Sequence, residues 1–123
     1  MPESRVPVHT GGCQCGAVRY ALFAAWIKGR PGVFRSSEAA ERGFCAQCGT
    51  PLFFRYVDKD RLALSLGSLD DPSRVVPAKQ YGIEGRLPFI ELIADLPGSR
   101  TEDHVPADDL ARLNSWQHPD HPD

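Results

Sequence analysis

The 123-residue chain has no long apolar stretch, no basic block and little net charge, and each lack excludes something. The apolar run from Ile90 to Ile93 is already interrupted by Glu91, and it falls far short of the roughly 20 residues a membrane-spanning helix needs. A formal charge of -2 with a pI near 6.1 gives no electrostatic footing for nucleic acid or an anionic membrane, so neither is expected as a partner. Met1 to Gly12 contains Pro2, Glu3, Arg5, Pro7 and His9 but no apolar core. No secretory leader is read there, and a reducing, cytoplasmic setting is expected.

What the chain has in quantity is punctuation. Eleven glycines and eleven prolines favour many short strands joined by turns over a few long helices. The length fits one core that buries about two-thirds of the unfolded surface. Val18, Tyr20 and Leu22 alternate with Arg19, Ala21 and Phe23 as a strand does. After the turn Gly29-Arg30-Pro31-Gly32 comes a short strand at Val33-Phe34-Arg35, and then a polar stretch leads to Arg42-Gly43-Phe44. The clearest hairpin pairs Leu52 to Val57 with Leu62, Leu64 and Leu66 across Asp58-Lys59-Asp60. Gly67-Ser68-Leu69-Asp70-Asp71-Pro72 reads as a loop. Further strands are expected at Lys79 to Ile83 and Phe89 to Ile93, and a short helix from Asp108 to Trp116. Trp26, Phe34, Phe44, Phe53, Phe54 and Phe89 are the expected aromatic core.

All four cysteines fall into two close pairs, Cys13-Gln14-Cys15 and Cys45-Ala46-Gln47-Cys48, each followed by a glycine, Gly16 and Gly49. Two turns that each present two thiolates close a tetrahedral zinc shell, and a glycine just beyond supplies the positive φ such a turn often requires. On this reading Cys13, Cys15, Cys45 and Cys48 hold one structural zinc with no position left for a substrate. The residues leave other readings open. These are two disulfides, an iron-thiolate or iron-sulfur centre, or a redox pair at Cys45 and Cys48, although the last wants a βαβ setting and the flanks here read strand, turn, strand. Zinc would join segments 29 residues apart, and structural zinc contributes on the order of 10 to 16 kcal/mol, comparable with the stability of a whole domain.

Gly11-Gly12-Cys13-Gln14-Cys15-Gly16-Ala17-Val18-Arg19-Tyr20, Arg35-Ser36-Ser37, Arg42 to Leu52 around the second pair, and Gly67-Ser68-Leu69-Asp70-Asp71-Pro72 together resemble the glutathione-dependent formaldehyde-activating family, which also includes centromere protein V. The likeness runs from Gly11 to about Leu96. It implies a mainly β fold, a zinc-stabilised β-tent of small antiparallel sheets with a short C-terminal helix. It also implies an organisation into an arm at 1–10, a zinc-binding domain at 11–96 and an extension at 97–123. The activity it implies is that of a carbon-sulfur lyase, joining formaldehyde to the thiol of glutathione, so a small thiol of that kind is the implied partner.

Members of that family carry two zinc sites, and the resemblance places Cys13, Cys15, Cys45 and Cys48 at the structural one. The second, catalytic site uses three further cysteines between the first strand and the arginine-serine-serine segment. This chain has only Ala21-Leu22-Phe23-Ala24-Ala25 between Tyr20 and Trp26. A zinc held by three protein thiolates keeps a position where a substrate thiol can ionise and attack a carbonyl carbon, whereas a four-sulfur shell keeps none. Three readings follow: an enzyme with weakened or lost activity, a non-catalytic zinc-stabilised module, or a shortened form of an enzyme whose catalytic segment is lost at the Phe23 to Trp26 junction.

Other residues have weaker functional options. His118 and His121 lie three apart in a proline-rich tail and read as solvated rather than ligating, and His9 and His104 stand alone. Ser68, Asp70 and Asp71 read as a capped turn before they read as ligand contacts. Glu84 and Arg86 read as an exposed ion pair before a clamp for a glutathione-like molecule. Arg35, Ser36 and Ser37 carry no distinguishing chemistry of their own.

Overall fold

A computed structural model describes residues 9–21 and 25–116. The chain is mainly β, with two antiparallel sheets and one short helix near the C-terminus. It divides into two compact units, one built on the chain up to Arg74 and the other on Val75–Asn114.

Both sheets belong to the first unit, and each is a meander in which strands neighbouring in sequence pair. The first sheet joins β1 (Thr10–Gly12), β2 (Arg19–Ala21) and β3 (Ala25–Lys28) in that order. The second joins β4 (Gly32–Arg35), β5 (Ala40–Phe44), β6 (Pro51–Tyr56) and β7 (Leu62–Leu64). The expected β6–β7 hairpin is present, with Phe53 opposite Leu64 and Arg55 opposite Leu62. It ends at Leu64, and Leu66 enters a 3-10 turn, Leu66–Ser68. Three strands had no clear sequence signal: β1, β3 and β5, the last with an Ala-Glu-Arg-Gly-Phe sequence that alternates poorly. Ala21 lies opposite Ala25, so only residues 22–24 separate β2 from β3.

The Arg35-Ser36-Ser37 motif forms the β4–β5 turn. The Arg35 guanidinium donates to the carbonyls of Ser37 (3.2 Å) and Glu38 (2.8 Å), and the Ser37 hydroxyl accepts from the Ala39 N–H (3.2 Å). At the far end of β5 the register shifts between Gly43 and Phe44, leaving Leu52 as the extra residue of a bulge. Leu52 is fully buried there, and the distortion falls immediately before Cys45, where a bulge re-aims the chain.

Among the described residues the buried apolar core comprises Cys13, Val18, Tyr20, Ala21, Ala40, Cys45, Leu52, Phe53 and Leu69. Of the expected aromatic core only Phe53 is buried; Trp26, Phe44 and Phe54 are half-buried, while Phe34 and Phe89 are exposed. An aromatic ring stacked on a sheet face is covered on one side only, and Phe34 lies on a face that no second layer covers enough to bury it.

The Gly-Ser-Leu-Asp loop closes the unit. Leu69 bridges Gly11, the Asp70 N–H donates to the Thr10 carbonyl (3.0 Å), and the Thr10 hydroxyl donates to Asp70 Oδ2 (2.7 Å). The same carboxylate oxygen accepts from Arg19 Nη2, forming an ion pair in which the Arg19 side chain is 6% exposed. Ser68, wholly buried, meets the Tyr20 hydroxyl at 2.6 Å and donates to the Ser65 carbonyl at 2.9 Å. Gly11 permits this approach, because a Cβ there would lie 2.3 Å from Tyr20 Oη and 2.4 Å from the Ser68 carbonyl oxygen.

The second unit departs from expectation. Lys79 to Ile83 and Phe89 to Ile93 are not strands; the region holds 3-10 helices at Ile83–Gly85 and Pro88–Asp95. Pro88 sits at the first helical position, where its fixed φ favours a helix and its missing N–H costs nothing. Phe89, Ile90, Leu92 and Ile93 recur at helical spacing rather than in alternation, so β propensity alone misleads. The expected helix at Asp108–Trp116 is shorter: an α-helix, α1 (Ala107–Leu110), continues as a 3-10 turn to Leu113. Glu84 and Arg86 do not pair; Arg86 instead bonds Glu91 at 2.8 Å and Gln80 at 3.3 Å.

The Arg19–Asp70 pair generates a test of the loop closure. Removing one member of a buried pair leaves the other uncompensated, at a cost of about 3 kcal/mol or more. Asp70→Asn is expected to lose stability on that scale in urea denaturation, and Gly11→Ala to lose a comparable amount through steric overlap. A wild-type midpoint in both variants would show that the loop is not anchored this way.

Candidate metal centre

The two cysteine pairs lie on the turns of different sheets: Cys13 and Cys15 between β1 and β2, Cys45 and Cys48 between β5 and β6. Each turn is built by its own backbone. In the first, the Cys13 N–H donates to the Val18 carbonyl (3.0 Å) and the Gly16 N–H to the Cys13 carbonyl (3.3 Å). In the second, the Cys45 N–H donates to the Thr50 carbonyl (2.9 Å) and the Gly49 N–H to the Cys45 carbonyl (2.8 Å). Gly16 and Gly49 have φ of 82° and 79°, the left-handed conformation expected of a glycine just past the second ligand.

Backbone amides also aim at the sulfurs. Val18 N–H reaches Cys13 Sγ at 3.2 Å, and the N–H groups of Gln47 and Cys48 reach Cys45 Sγ at 3.3 and 3.4 Å. Such donors stabilise thiolate over thiol. Thr50 binds the two turns together: its hydroxyl oxygen accepts from the Gln14 N–H at 3.1 Å and meets Cys48 Sγ at 3.1 Å. The sequence reading missed Thr50, whose only signal is its place directly after the second Cys-Gly pair.

All four sulfurs lie within 4.8 Å of one another. Cys13 Sγ is 3.6 Å from Cys15 Sγ, which is 3.7 Å from Cys45 Sγ. A tetrahedral zinc with Zn–S bonds of about 2.3 Å sets its sulfurs about 3.8 Å apart, close to these two separations. All four cysteines are free, and these separations are far beyond a disulfide bond of about 2.05 Å. Cys13 and Cys45 are buried, whereas Cys15 and Cys48 face solvent.

Acidity within the cluster is uneven. Burial of Cys13 opposes its ionisation, but the Val18 N–H and the neighbouring sulfurs outweigh that and its pKa is lowered from 9.0. Desolvation also opposes ionisation of Cys48, yet the Thr50 hydroxyl and N–H, with the Cys15 N–H, bring it down to about 5. The Ala17 N–H favours the Cys15 thiolate, but desolvation and the three surrounding sulfurs prevail and push it up to about 12. The Cys15 thiol, hydrogen-bonded to the neighbouring sulfurs, thus keeps the last proton of the cluster. A divalent cation bound there would take that proton's place.

Among the described residues this is the one grouping of three or more candidate metal ligands. His104 is exposed and bonds Ser99 Oγ at 2.8 Å, while His118 and His121 lie outside the described residues. Ser68 and Asp70 are engaged with Tyr20, Thr10 and Arg19, and Asp71 accepts from the Ser73 hydroxyl. The structure brings none of them to the sulfur cluster. No helix among the described residues is long and apolar enough to cross a membrane. Set against family models, curated proteins and solved structures, the chain matches none.

In metal-free protein, thiolate ultraviolet absorbance is expected to rise in separate steps, beginning near pH 5 and finishing only towards pH 12. Thr50→Val, which removes the hydroxyl facing Cys48, is expected to move the first step upward in pH. A single transition near the ordinary thiol value of 9.0 would contradict the arrangement.

Proposed function

We propose that this chain is a zinc-stapled β protein of the glutathione-dependent formaldehyde-activating type in which the carbon-sulfur lyase activity of that family is weakened or lost. It then serves as a non-catalytic module. The observation that carries the reading is the convergence of all four cysteine sulfurs within 4.8 Å. Cys13, Cys15, Cys45 and Cys48 would hold the ion. Bound there, zinc supplies a cross-link between the turns of two sheets and, with four protein sulfurs, no open position for a substrate thiol.

Two things support a thiophilic ion at this place: the four thiolates are the one grouping of metal donors among the described residues, and soft sulfur ligands in a tetrahedral set select zinc or iron over magnesium or calcium. Family membership rests on the four motifs and their order, and the lost activity on the count of cysteines. Four of four stand in the cluster, which leaves none for the second sulfur site of a lyase. A glutathione-like thiol remains the natural partner to try, because the family resemblance implies it.

Elemental analysis of purified protein is expected to find one zinc per chain, and mixing with formaldehyde and glutathione to give adduct no faster than the spontaneous reaction. Two zinc ions per chain, or clear acceleration, would overturn the non-catalytic reading. Cys48→Ser is expected to leave less metal bound and a protease-sensitive protein; an unchanged melting temperature would remove the structural role from the site.

A further inference from the structure

A second constellation lies on the four-stranded sheet and includes none of the cysteines. The register sets Val33, Gly43, Phe53 and Leu64 in one cross-strand row, and Arg35, Glu41, Arg55 and Leu62 in the next row of the same face. Over this face opens a cleft of about 260 Å3. Its apolar side is made by Trp26, Phe53, Val33 and Leu62, and its polar side by Arg30, Arg55 and Glu41.

The apolar side is pre-formed. The Trp26 ring stands 5.8 Å from Phe53 at an interplanar angle of 43° and meets Tyr20 edge-on at 5.7 Å, so two aromatic neighbours fix it. Phe53 lies flat over Gly43, where a Cβ would come 2.0 Å from the ring. A glycine at this strand position lets the ring form the floor of the cleft. Val33 and Leu62 remain 53% and 39% exposed, although they lie beside a buried ring. Apolar surface of that kind, walled and concave, is what small-molecule sites offer, and the volume lies just below their usual lower bound of about 300 Å3.

The polar side selects charge. Arg55 donates from both Nε (2.9 Å) and Nη2 to the same oxygen of Glu41, so the single carboxylate of the cleft is already neutralised. Arg30 makes no hydrogen bond or ion pair among the described residues, and its guanidinium is the uncompensated charge of the cleft. A cation would meet that charge with no free carboxylate to offset it, whereas an anion would be held by a planar donor fork. A polyphosphate would bring several negative charges to a cleft whose net charge is a single positive one.

We propose that this cleft binds a small organic monocarboxylate with a flat apolar body, the carboxylate on Arg30 and the body between Trp26, Phe53, Val33 and Leu62. The site is separate from the sulfur cluster, so its occupancy does not depend on whether the chain retains any lyase activity. Arg30 is exposed and outside every strand, so Arg30→Gln tests the contact without disturbing the fold.

The probe is phenylacetate, titrated into metal-loaded protein while the indole N–H resonance of Trp26 is followed. Phenylacetamide serves as the neutral isostere and phenethylamine as the cation. Saturable binding in the millimolar range is expected for the anion, given its few heavy atoms. The amide is expected to bind about five-fold more weakly, as befits one partly exposed charge-assisted contact, and Arg30→Gln to erase the difference. Equal affinity for the amide, tighter binding of the amine, an unaltered anion preference in Arg30→Gln, or no saturable shift at Trp26 would each overturn the proposal.

Discussion

The rest of the first unit depends on the convergence of four sulfurs from two sheets. Neither sheet can stand alone: one has three strands of three or four residues, and the other is a four-stranded meander with one face largely open. Sheets of three or four strands are stable only if they have a hydrophobic face to bury. Two of the nine buried apolar residues among those described are themselves cysteines, and three others are no larger than valine. A core so poor in leucine, isoleucine and phenylalanine needs a covalent or coordinate staple, as small domains generally do. Placing both knuckles on hairpin turns is the economical solution. The turn backbone already fixes the directions of two sulfurs, and one ion bound there would join elements distant in sequence.

The electrostatics of the cluster make the same case from the opposite direction. Backbone amides from Val18, Gln47 and Cys48 point at sulfur, and Thr50 supplies a hydroxyl beside Cys48. These donors favour negative charge at a place where four thiolates would repel one another. A cation bound there would relieve that crowding. The Arg19–Asp70 pair and the Tyr20–Ser68 contact form a second fastening, which ties the loop after β7 back to β1 and β2. The two fastenings act on the same pair of sheets, so weakening either puts more load on the other.

What was legible in the sequence follows from how local each cause is. The cysteine knuckles were legible because ligand type, spacing and a following glycine all sit within five residues, and the β6–β7 hairpin because its leucines alternate around a polar turn. The strand β3 was not, since Ala-Trp-Ile-Lys is too short to show a period and is defined by its pairing with β2. The segment from Phe89 to Ile93 was misread because phenylalanine and isoleucine favour strands only where a sheet edge receives them. Phe34 was assigned to the core on residue type alone, yet burial is decided by whether another layer covers that face. Ser68 and Asp70 gave a turn signal that was correct as far as it went. Their partners, Tyr20, Thr10 and Arg19, lie some 50 or 60 positions away and no local pattern announces them.

The short connection between β2 and β3 bears on both functional readings. Ala21 faces Ala25, so these strands close as a hairpin over three residues. In the family that the motifs resemble, this is the region that supplies the second set of cysteines. Here β2 and β3 pair directly, and Trp26 finds both Tyr20 and Phe53. The sheet is therefore self-consistent without the segment. The same closure sets Trp26 as one wall of the cleft above Phe53, so the pairing of β2 with β3 also shapes that cleft.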